Sequence, residues 1–308
     1  MIITVTMNPA IDKTVEIDAL IPGGLHRIQR VEYDAGGKGI NVSKTLRALG
    51  GESIATGFLG GNAGRMIEQV LRDEGIRTDF VWVDGETRTN TKVFEKNGAV
   101  TELNEPGSVI AQEQKLDLLK KLEDYAAKDV LFVLSGSVPK GMDAGIYAEI
   151  TQLVHVKGAK VLLDADGELF RRSLEAVPDM IKPNHVELAD YAALGEKTTE
   201  AEILRVAKEL TASGIDTVMV SRGKLGAMMV RSEQMLSAPA LPVNAHSTVG
   251  AGDAMVAALA YACERKLDME ECMRLCMAAS AGAVTTIGTK PPARTLVDEL
   301  MKQVEIKR

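Results

Sequence analysis

The sequence predicts an α/β fold of three layers, with a mostly parallel central sheet between two layers of helices. Short β-branched runs alternate with amphipathic helical patterns along most of the 308 residues, which is typical of a parallel sheet covered on both faces. The composition, 45% hydrophobic and 26% charged, is ordinary for a globular protein, and a chain of this length can bury a full core. Length alone fits either one large α/β domain or two smaller ones.

Strands and helices can be assigned in order along the chain. The clearest buried strands are predicted at residues 2–7, 130–134, 160–164 and 217–221. Helical periodicity occurs at residues 40–49, 65–74, 112–127, 144–156, 201–213 and 252–265. Each strand ends in a polar or glycine-rich turn, so we expect ligands at the carboxyl ends of the strands, as is usual for such folds.

Three further segments alternate polar and apolar residues with a period of two, at residues 12–18, 27–33 and 89–103. The third contains Asn97-Gly98, a strong hairpin signal. These segments predict a small sheet appended to the main one and contributed by separate parts of the chain. Ordinary edge strands of the main sheet are the alternative.

Charge and hydropathy exclude several classes of function. The formal net charge is −7 and the pI is near 5.3, so no overall basic field attracts nucleic acid or an anionic membrane. The first seven residues carry no basic region and are predicted as a strand, and no apolar run approaches the roughly 18 residues of a membrane span. We expect a soluble, cytoplasmic protein that binds any anionic substrate through a few local basic groups.

The cysteines are Cys263, Cys272 and Cys276. Cys272 and Cys276 are four residues apart in a helical pattern, a spacing that a metal-binding pair could use. No histidine lies nearby, so buried side chains on one helix are the favoured interpretation. A disulfide framework is not expected.

The strongest catalytic signal is the turn Thr248-Val249-Gly250-Ala251-Gly252-Asp253, which opens a helix of small apolar residues. The two glycines let backbone N–H groups converge, and the helix adds the positive end of its dipole, so the turn predicts an anion hole for phosphate oxygens. A carboxylate at Asp253 would repel phosphate that is merely bound. A general base is one interpretation of this residue and a helix N-cap is the other. As a base it needs only a slightly raised pKa, because the proton leaves late in phosphoryl transfer.

A second glycine-rich turn, Gly36-Gly37-Lys38-Gly39, precedes the first predicted helix. It is not a Walker A loop, because Glu32 and Gly39 occupy the positions of the first glycine and of the Ser or Thr. Lys38 offers a point charge and Asn41 a donor and an acceptor, which suit the hydroxyl and phosphate groups of a sugar. A structural loop is the alternative.

Two more turns fit nucleotide chemistry. Residues 220–227 run from a strand into a glycine-spaced turn with Ser221, Gly223 and Gly226, which suits nucleotide phosphates or ribose. In the motif Lys182-Pro183-Asn184-His185-Val186-Glu187, Asn184 and Glu187 share a face of a first helical turn and could hold a metal ion or its waters. A helix-capping pattern is the alternative.

Taken in order, these motifs resemble those of the PfkB family of carbohydrate kinases, which has the ribokinase-like fold. The resemblance covers essentially the whole chain and is carried by residues 6–12, Gly36-Gly37-Lys38-Gly39-Ile40-Asn41-Val42, residues 57–61, Thr87-Arg88-Thr89-Asn90, Ser135-Gly136-Ser137-Val138-Pro139, Lys182-Pro183-Asn184-His185-Val186-Glu187 and residues 247–253. Within the family, Asn8-Pro9-Ala10-Ile11-Asp12 together with Gly-Gly-Lys-Gly is similar to the sugar-phosphate branch of 1-phosphofructokinases and tagatose-6-phosphate kinases. The resemblance implies ATP-dependent phosphorylation of a ketohexose phosphate, with fructose 1-phosphate expected and tagatose 6-phosphate as the alternative.

The resemblance also implies roles for individual residues. The catalytic base is Asp253, and the anion hole is formed by Gly250, Ala251 and Gly252. The substrate is assigned to Asp12, Arg27, Gly37, Lys38, Asn41, Arg88, Asn90 and Ser137. ATP is assigned to Ser221, Gly223, Gly226, Thr248, Gly250 and Gly252, and Mg²⁺ to Asn184 and Glu187. Taken singly, each arginine is more typical of a solvated surface charge.

In some relatives K⁺ binds at a site that corresponds here to backbone carbonyls near Ser247 and Val249 and to the turn at residues 283–288. The resemblance further implies a single kinase domain over residues 1–308, in which the alternating segments form a lid that pairs with that of a second copy in a homodimer. Two positions depart from the family pattern: Asp166 stands where serine is usual, and Arg222 replaces an apolar residue.

Two rival functions are weaker. A nicotinamide-dependent dehydrogenase should carry Gly-x-Gly-x-x-Gly after the first strand, where this chain has Asn8-Pro9-Ala10. A catalytically silent sugar-phosphate sensor on the same fold would tolerate loss of the base, yet Asp253 and both neighbouring glycines are present.

Overall fold

A computed structural model describes residues 1–195, 198–246, 248–286 and 288–308. Its strands, in chain order, are β1 (Ile2–Thr6), β2 (Ala10–Ile17), β3 (Arg30–Gly36), β4 (Ser53–Gly60), β5 (Arg77–Thr78), β6 (Val81–Val83), β7 (Arg88–Glu95), β8 (Val100–Asn104), β9 (Leu131–Ser135), β10 (Lys160–Asp164), β11 (Met180–Ile181), β12 (Thr217–Ser221), β13 (Ala227–Arg231) and β14 (Gln234–Ala238). Its helices are α1 (Lys38–Ala48), α2 (Gly61–Asp73), α3 (Gln112–Tyr125), α4 (Ile146–His155), α5 (Gly167–Ser173), α6 (His185–Tyr191), α7 (Glu200–Ala212), α8 (Ala251–Arg265), α9 (Met269–Ala283) and α10 (Arg294–Met301).

The main sheet has the strand order β14-β13-β12-β11-β10-β9-β1-β4-β5, with β6 beside β4. β1 pairs in parallel with β4 and β9, and the strands from β9 to β12 are parallel as well. The β12-β13 and β13-β14 pairs at one edge are antiparallel. The prediction of a mostly parallel central sheet is confirmed.

Apolar cores cover both faces of this sheet. On β9, Phe132 and Leu134 pack toward α3 to α7, while Leu131 and Val133 pack toward α1, α8, α9 and α10. The two sets alternate because successive side chains on a strand point to opposite faces. The result is the predicted three-layer arrangement.

A separate four-stranded sheet, called the small sheet below, has the order β3-β2-β7-β8. β2 pairs in parallel with β7, and the outer pairs are antiparallel. The hairpin between β7 and β8 turns at Asn97-Gly98, where Gly98 has φ of 87° and the Asn97 side chain accepts from the Ala99 N–H. The predicted second sheet is thus confirmed, and the alternative of extra edge strands in the main sheet is wrong.

Some elements differ from the sequence prediction. Residues 27–29 precede β3 and belong to a connecting segment, and α2 begins at Gly61 although its first turns contain two glycines. β4 lacks a clear strand signal because glycines interrupt it. Gly57 there has φ of 132°, and a Cβ would lie 1.9 Å from the Thr6 carbonyl oxygen. Within the described residues, no helix combines the length and apolar character needed to cross a membrane.

Candidate active site

A polar cleft of about 360 Å³ lies between the carboxyl ends of the main-sheet strands and the small sheet. Its walls include the predicted site residues Asp12, Gly37, Lys38, Asn41, Arg88, Asn90, Ser137, Gly250 and Asp253. Larger surface cavities in the described part of the chain, of about 590, 570 and 710 Å³, contain none of the predicted site residues. Residues far apart in sequence therefore meet where the fold class places ligands.

The catalytic turn places Asp253 inside this cleft. Gly250, with φ of 83°, is the N-cap of α8, and Asp253 is the third residue of the helix. The N-cap interpretation of Asp253 is wrong. Its carboxylate, 8% exposed, accepts a hydrogen bond of 2.8 Å from Asn41 Nδ2.

The surroundings of Asp253 set its basicity. Burial, with a further contribution from the charge of Asp164, raises the pKa of Asp253 to about 6, although Asn41, Lys38 and Lys182 oppose the shift. This rise is larger than the slight one expected from the sequence. A carboxylate with this pKa is ionised at neutral pH and takes a proton more readily than an exposed aspartate does.

The first turn of α8 supplies donors beside that carboxylate. The N–H groups of Ala251, Gly252 and Asp253 precede the first helical hydrogen bond, in which the Ala254 N–H donates to the Gly250 carbonyl. A Cβ on Gly252 would lie 3.6 Å from Lys182 Nζ, so this turn lies against an ammonium group. N–H donors that have no acceptor within the helix, a helix dipole and a buried cation together favour an anion.

Under the cleft, Asp164 at the end of β10 joins two lysines. Its carboxylate is 2% exposed and lies 3.2 Å from Lys182 Nζ and 3.4 Å from Lys38 Nζ, and it accepts from Ser135 Oγ at 3.1 Å. Burial alone would raise the pKa of Asp164, but Lys182 and Lys38 hold it below its ordinary value. Asp164 in turn raises the pKa of Lys38, so these two groups form an ion pair of full charges.

The small sheet provides the opposite wall. Asp12, 9% exposed, accepts from Asn90 Nδ2 at 3.4 Å, and its other oxygen lies 3.8 Å from Lys92 Nζ. Burial raises the pKa of Asp12, and Lys92 opposes the rise. A Cβ on Gly36 would lie 2.5 Å from the Asp12 carboxylate, so glycine is required there to make room for it.

Several buried polar atoms around the cleft have no hydrogen-bond partner among the described residues. They are Thr6 Oγ1, Asn41 Oδ1, Arg88 Nε, Asn90 Oδ1 and Thr289 Oγ1, and all five residues line the cleft. Because buried polar groups in proteins are normally paired, a cluster of unpaired donors and acceptors indicates a polar ligand.

The two arginines assigned to the substrate are placed differently. Arg27 is exposed in the segment between β2 and β3 and does not line the cleft. Arg88 is half-buried in the cleft wall, where its guanidinium donates to the carbonyls of Asn8 and Glu105 at 3.1 Å each. Burial lowers the pKa of Arg88. Some of the Arg88 N–H donors are therefore already used by backbone carbonyls.

Apart from Gly250, the residues assigned to nucleotide and metal lie outside the cleft lining. An isolated bridge pairs Asn184 with Ser221, so these two motifs are neighbours. Gly226 has φ of 90°, and a Cβ would lie 1.9 Å from the Ala238 carbonyl, whereas Gly223 and Thr248 are exposed. Arg222 points away to Glu200, 2.7 Å distant, and Asp166 is exposed at the cleft rim.

Asn184 and Glu187 form a reciprocal capping box at the start of α6. Asn184 Oδ1 accepts from the N–H groups of Val186 and Glu187, and Glu187 Oε2 accepts from the Asn184 N–H. The capping alternative is therefore realised, and it leaves Glu187 Oε1 for another ligand. Burial raises the pKa of Glu187. For the implied K⁺ site, Ser247 and Ile287 lie outside the described residues.

Comparison with known proteins decides the family. Residues 1–296 match the family described as pfkB family carbohydrate kinase. The chain belongs to this family.

Individual relatives agree over nearly the whole length. A Vibrio cholerae protein named 1-phosphofructokinase is 32% identical over 99% of this chain and 96% of its own. A Bacillus licheniformis protein named D-tagatose-1-phosphate kinase is 34% identical over 99% of both chains. Phosphofructokinase-2 from Escherichia coli, solved in complex with potassium, superposes with a TM-score of 0.93 at 28% identity and 98% coverage of both chains. The predicted ribokinase-like fold is confirmed.

Sequence reasoning gave no role to three charged residues of this PfkB-family site. Lys182 belongs to the motif at residues 182–187, and Asp164 is the last residue of a predicted strand, but neither was assigned a function. Their ion pair forms because β10 and β11 lie side by side. Lys92 had a usable signal, because it follows Arg88 and Asn90 at the two-residue period of β7. No comparable pattern marks Asp164.

Proposed function

We propose that this protein transfers the γ-phosphoryl group of ATP to a hydroxyl of a ketohexose 1-phosphate, converting fructose 1-phosphate to fructose 1,6-bisphosphate. The observation that carries the proposal is that Asp253 in the first turn of α8, the N-cap Gly250 of that helix and the unpaired polar atoms all meet at one cleft. A base, an anion hole and a polyol-binding wall are the parts that phosphoryl transfer to a sugar requires.

The names of relatives support the choice of sugar. Both curated relatives described above are named for ketohexose 1-phosphates, one of fructose and one of tagatose. Tagatose 1-phosphate is therefore a better second candidate than tagatose 6-phosphate. Asp253 and its donors are intact, which disfavours a silent sensor.

The positions of the groups support one mechanism. Asp253 accepts the proton of the substrate hydroxyl as its oxygen forms a bond to the γ-phosphorus of ATP. The bond from that phosphorus to the oxygen bridging to the β-phosphate breaks, and ADP leaves with the electron pair. The N–H groups of Ala251 and Gly252, with Lys182 and Lys38 nearby, stabilise the charge on the transferring phosphoryl group. Asn41 holds the carboxylate in place.

The residues present also fit Mg²⁺. Among the described residues no group of three or more His, Cys, Asp or Glu could hold a metal ion by itself. Mg²⁺ usually binds through one or two carboxylates together with substrate phosphates, and Glu187 Oε1 is a carboxylate oxygen without a hydrogen bond in the capping box. Bound there with ATP, Mg²⁺ would neutralise phosphate charge.

A coupled assay for ADP release tests the function directly. The panel should contain fructose 1-phosphate, tagatose 1-phosphate, tagatose 6-phosphate, fructose 6-phosphate and fructose. We expect the highest kcat/KM for fructose 1-phosphate. A preference for fructose itself would contradict the proposal and assign the chain to kinases of neutral sugars.

A homodimer through the small sheet is the second part of the proposal. Val31, Tyr33 and Leu103, exposed by 40%, 52% and 58%, lie on the face of the small sheet opposite to Asp12, as the pairing register requires. An apolar patch on a β-sheet suits a second copy of the same sheet. Leu103→Glu should lower the mass measured by analytical ultracentrifugation. Leu116→Glu on α3, at a similarly exposed position, should not change it.

The K⁺ site and the cytoplasmic location are also proposed. The potassium complex of the Escherichia coli relative supports the K⁺ site, and a rise in kcat when KCl replaces a tetramethylammonium salt would test it.

The free cysteines Cys263, Cys272 and Cys276 suit the reducing conditions of the cytoplasm.

A further inference from the structure

Among the described residues, the basic side chains that line the cleft are Lys38, Arg88 and Lys92. Lys38 is paired with Asp164, and Arg88 donates to two backbone carbonyls. Lys92 has a weaker attachment. Its Nζ lies 3.8 Å from Asp12 Oδ2, which is too long for a hydrogen bond, although the Lys92 side chain is only 12% exposed.

An ammonium group has three N–H donors, and those of Lys92 make no hydrogen bond within the described part of the chain. The Lys92 side chain is 12% exposed, so these donors have limited access to water and favour an acceptor on a ligand. A ligand oxygen that accepts from Lys92 would therefore be bound strongly. A phosphate monoester offers several such oxygens and carries the complementary charge.

The pairing register places Lys92 next to the sugar-binding side chains. Asn90 lies opposite Asp12 on β2 and opposite Asn104 on β8, and Lys92 follows two residues later on the same face. Two residues along a strand span about 6.6 Å. This is the scale of a hexose measured from a ring hydroxyl to a phosphate on a terminal carbon.

Glu102 lies opposite Lys92 on β8 and also lines the cleft. Asp12 and Glu102 together place two negative charges around one positive charge. Free phosphate should therefore bind poorly, because its attraction to Lys92 is offset by both carboxylates. A sugar phosphate gains hydroxyl contacts with Asp12 and Asn90 in addition, so the arrangement selects for the combined ligand.

We propose that Lys92 is the residue that determines specificity for a phosphorylated sugar. On binding, its ammonium exchanges the loose contact with Asp12 for the phosphate oxygens, and the Asp12 carboxylate becomes available to a sugar hydroxyl. This inference rests on the proposed function and adds the residue that holds the substrate's own phosphate.

The test compares Lys92→Met, Lys92→Arg and Glu102→Gln with the unmutated protein. Losing one partner of a desolvated charge pair should raise the KM for fructose 1-phosphate about 30-fold or more in Lys92→Met. The KM for ATP should stay within about threefold, kcat should change less than KM, and Lys92→Arg should recover much of the affinity. Glu102→Gln should strengthen inhibition by inorganic phosphate. Thermal unfolding of each variant checks that it is folded.

The results separate two kinds of failure. If the unmutated protein phosphorylates none of the sugar phosphates, the proposed function itself is wrong. If it phosphorylates fructose 1-phosphate and Lys92→Met keeps the same KM, or loses kcat and ATP affinity equally, only the role of Lys92 is wrong. Equal effects on fructose and fructose 1-phosphate would also overturn it, because they would assign Lys92 to supporting Asp12.

Discussion

The two walls of the cleft are built in opposite ways. The main-sheet wall holds Asp253, Asp164 and Lys182, each at most 8% exposed, between two large apolar cores. The small sheet has an apolar cluster of its own made of only Val15, Ile17 and Val93 among the described residues. Of its cleft-facing side chains, Asp12 is buried, whereas Asn90 and Lys92 are half-buried and Glu102 is exposed.

This difference indicates a division of labour. Groups that must be placed accurately for proton and phosphoryl transfer benefit from a rigid, densely packed support. Groups that admit and then enclose a substrate benefit from a region of low local stability, and few buried contacts provide it. Catalysis should therefore depend on the main-sheet wall, and substrate choice on the small sheet.

The largest effect should come from Asp253→Asn. The amide keeps the shape of the side chain but cannot accept the proton, so kcat should fall by about 10² to 10⁴ while ATP binding persists. Because the carboxylate is buried with a raised pKa, its ionised form opposes folding at pH 7, and the variant should unfold at a higher temperature. Retention of more than about a tenth of wild-type kcat would exclude Asp253 as the base.

Asp164→Asn should be the most destabilising change in the main-sheet wall. It leaves two lysine ammonium groups without their carboxylate, and breaking a buried pair costs about 3 to 5 kcal/mol. The matched control in the small sheet is Arg30→Ala, which removes exposed ion pairs with Glu16 and Glu32 and should cost less than about 1 kcal/mol. Urea unfolding measures both. Similar losses in the two variants would contradict the contrast between the walls.

The pH dependence of kcat should report the ionisation of Asp253 in the main-sheet wall. Asp253 must be ionised to act, and its pKa is raised to about 6, so kcat should fall about tenfold per pH unit below that value. Phosphate groups of the substrates titrate in the same range. Asn41→Ala distinguishes the two, because loss of the hydrogen bond that lowers the pKa of Asp253 should move the acidic limb to higher pH. An unmoved limb would assign the titration to the substrates.

The smallest effect on global stability is expected for Val93→Ala. Removing two methyl groups costs about 2 kcal/mol in a full core, as expected for Val133→Ala on β9. Val93 belongs to the minor cluster, so its loss should loosen the small sheet and cost less than about 1 kcal/mol globally. It should instead raise ATP hydrolysis without sugar, measured as ADP release, because water enters a less closed cleft. Val133→Ala should leave ATP hydrolysis without sugar unchanged.

The comparison also explains what the sequence could predict. The main sheet could be predicted because β9 and β10 are short apolar runs. The catalytic turn could be predicted because its glycines lie close together in sequence. The ion pairs of Asp164 with two lysines could not be predicted. Lys38 in α1 and Lys182 after β11 are distant in sequence and are brought to Asp164 only by the strand order. Arg88 fitted the pattern of a substrate cation, yet its bonds to the Asn8 and Glu105 carbonyls depend on loop geometry that no local pattern encodes.

The parallel pairing of β2 with β7 has a consequence for how the chain folds. Asp12 pairs with Asn90, so the intervening segment, which contains β4 and α2, must be in place before these strands can meet. Contacts between residues so distant in sequence form late, because the entropy of closing the loop is lost before the pairing is gained. During synthesis, the hairpin of β2 and β3 leaves the ribosome well before its partner strand. All four strands of the small sheet are thus synthesised before α8, which carries Asp253, because α8 begins at Ala251, 147 residues after β8 ends at Asn104.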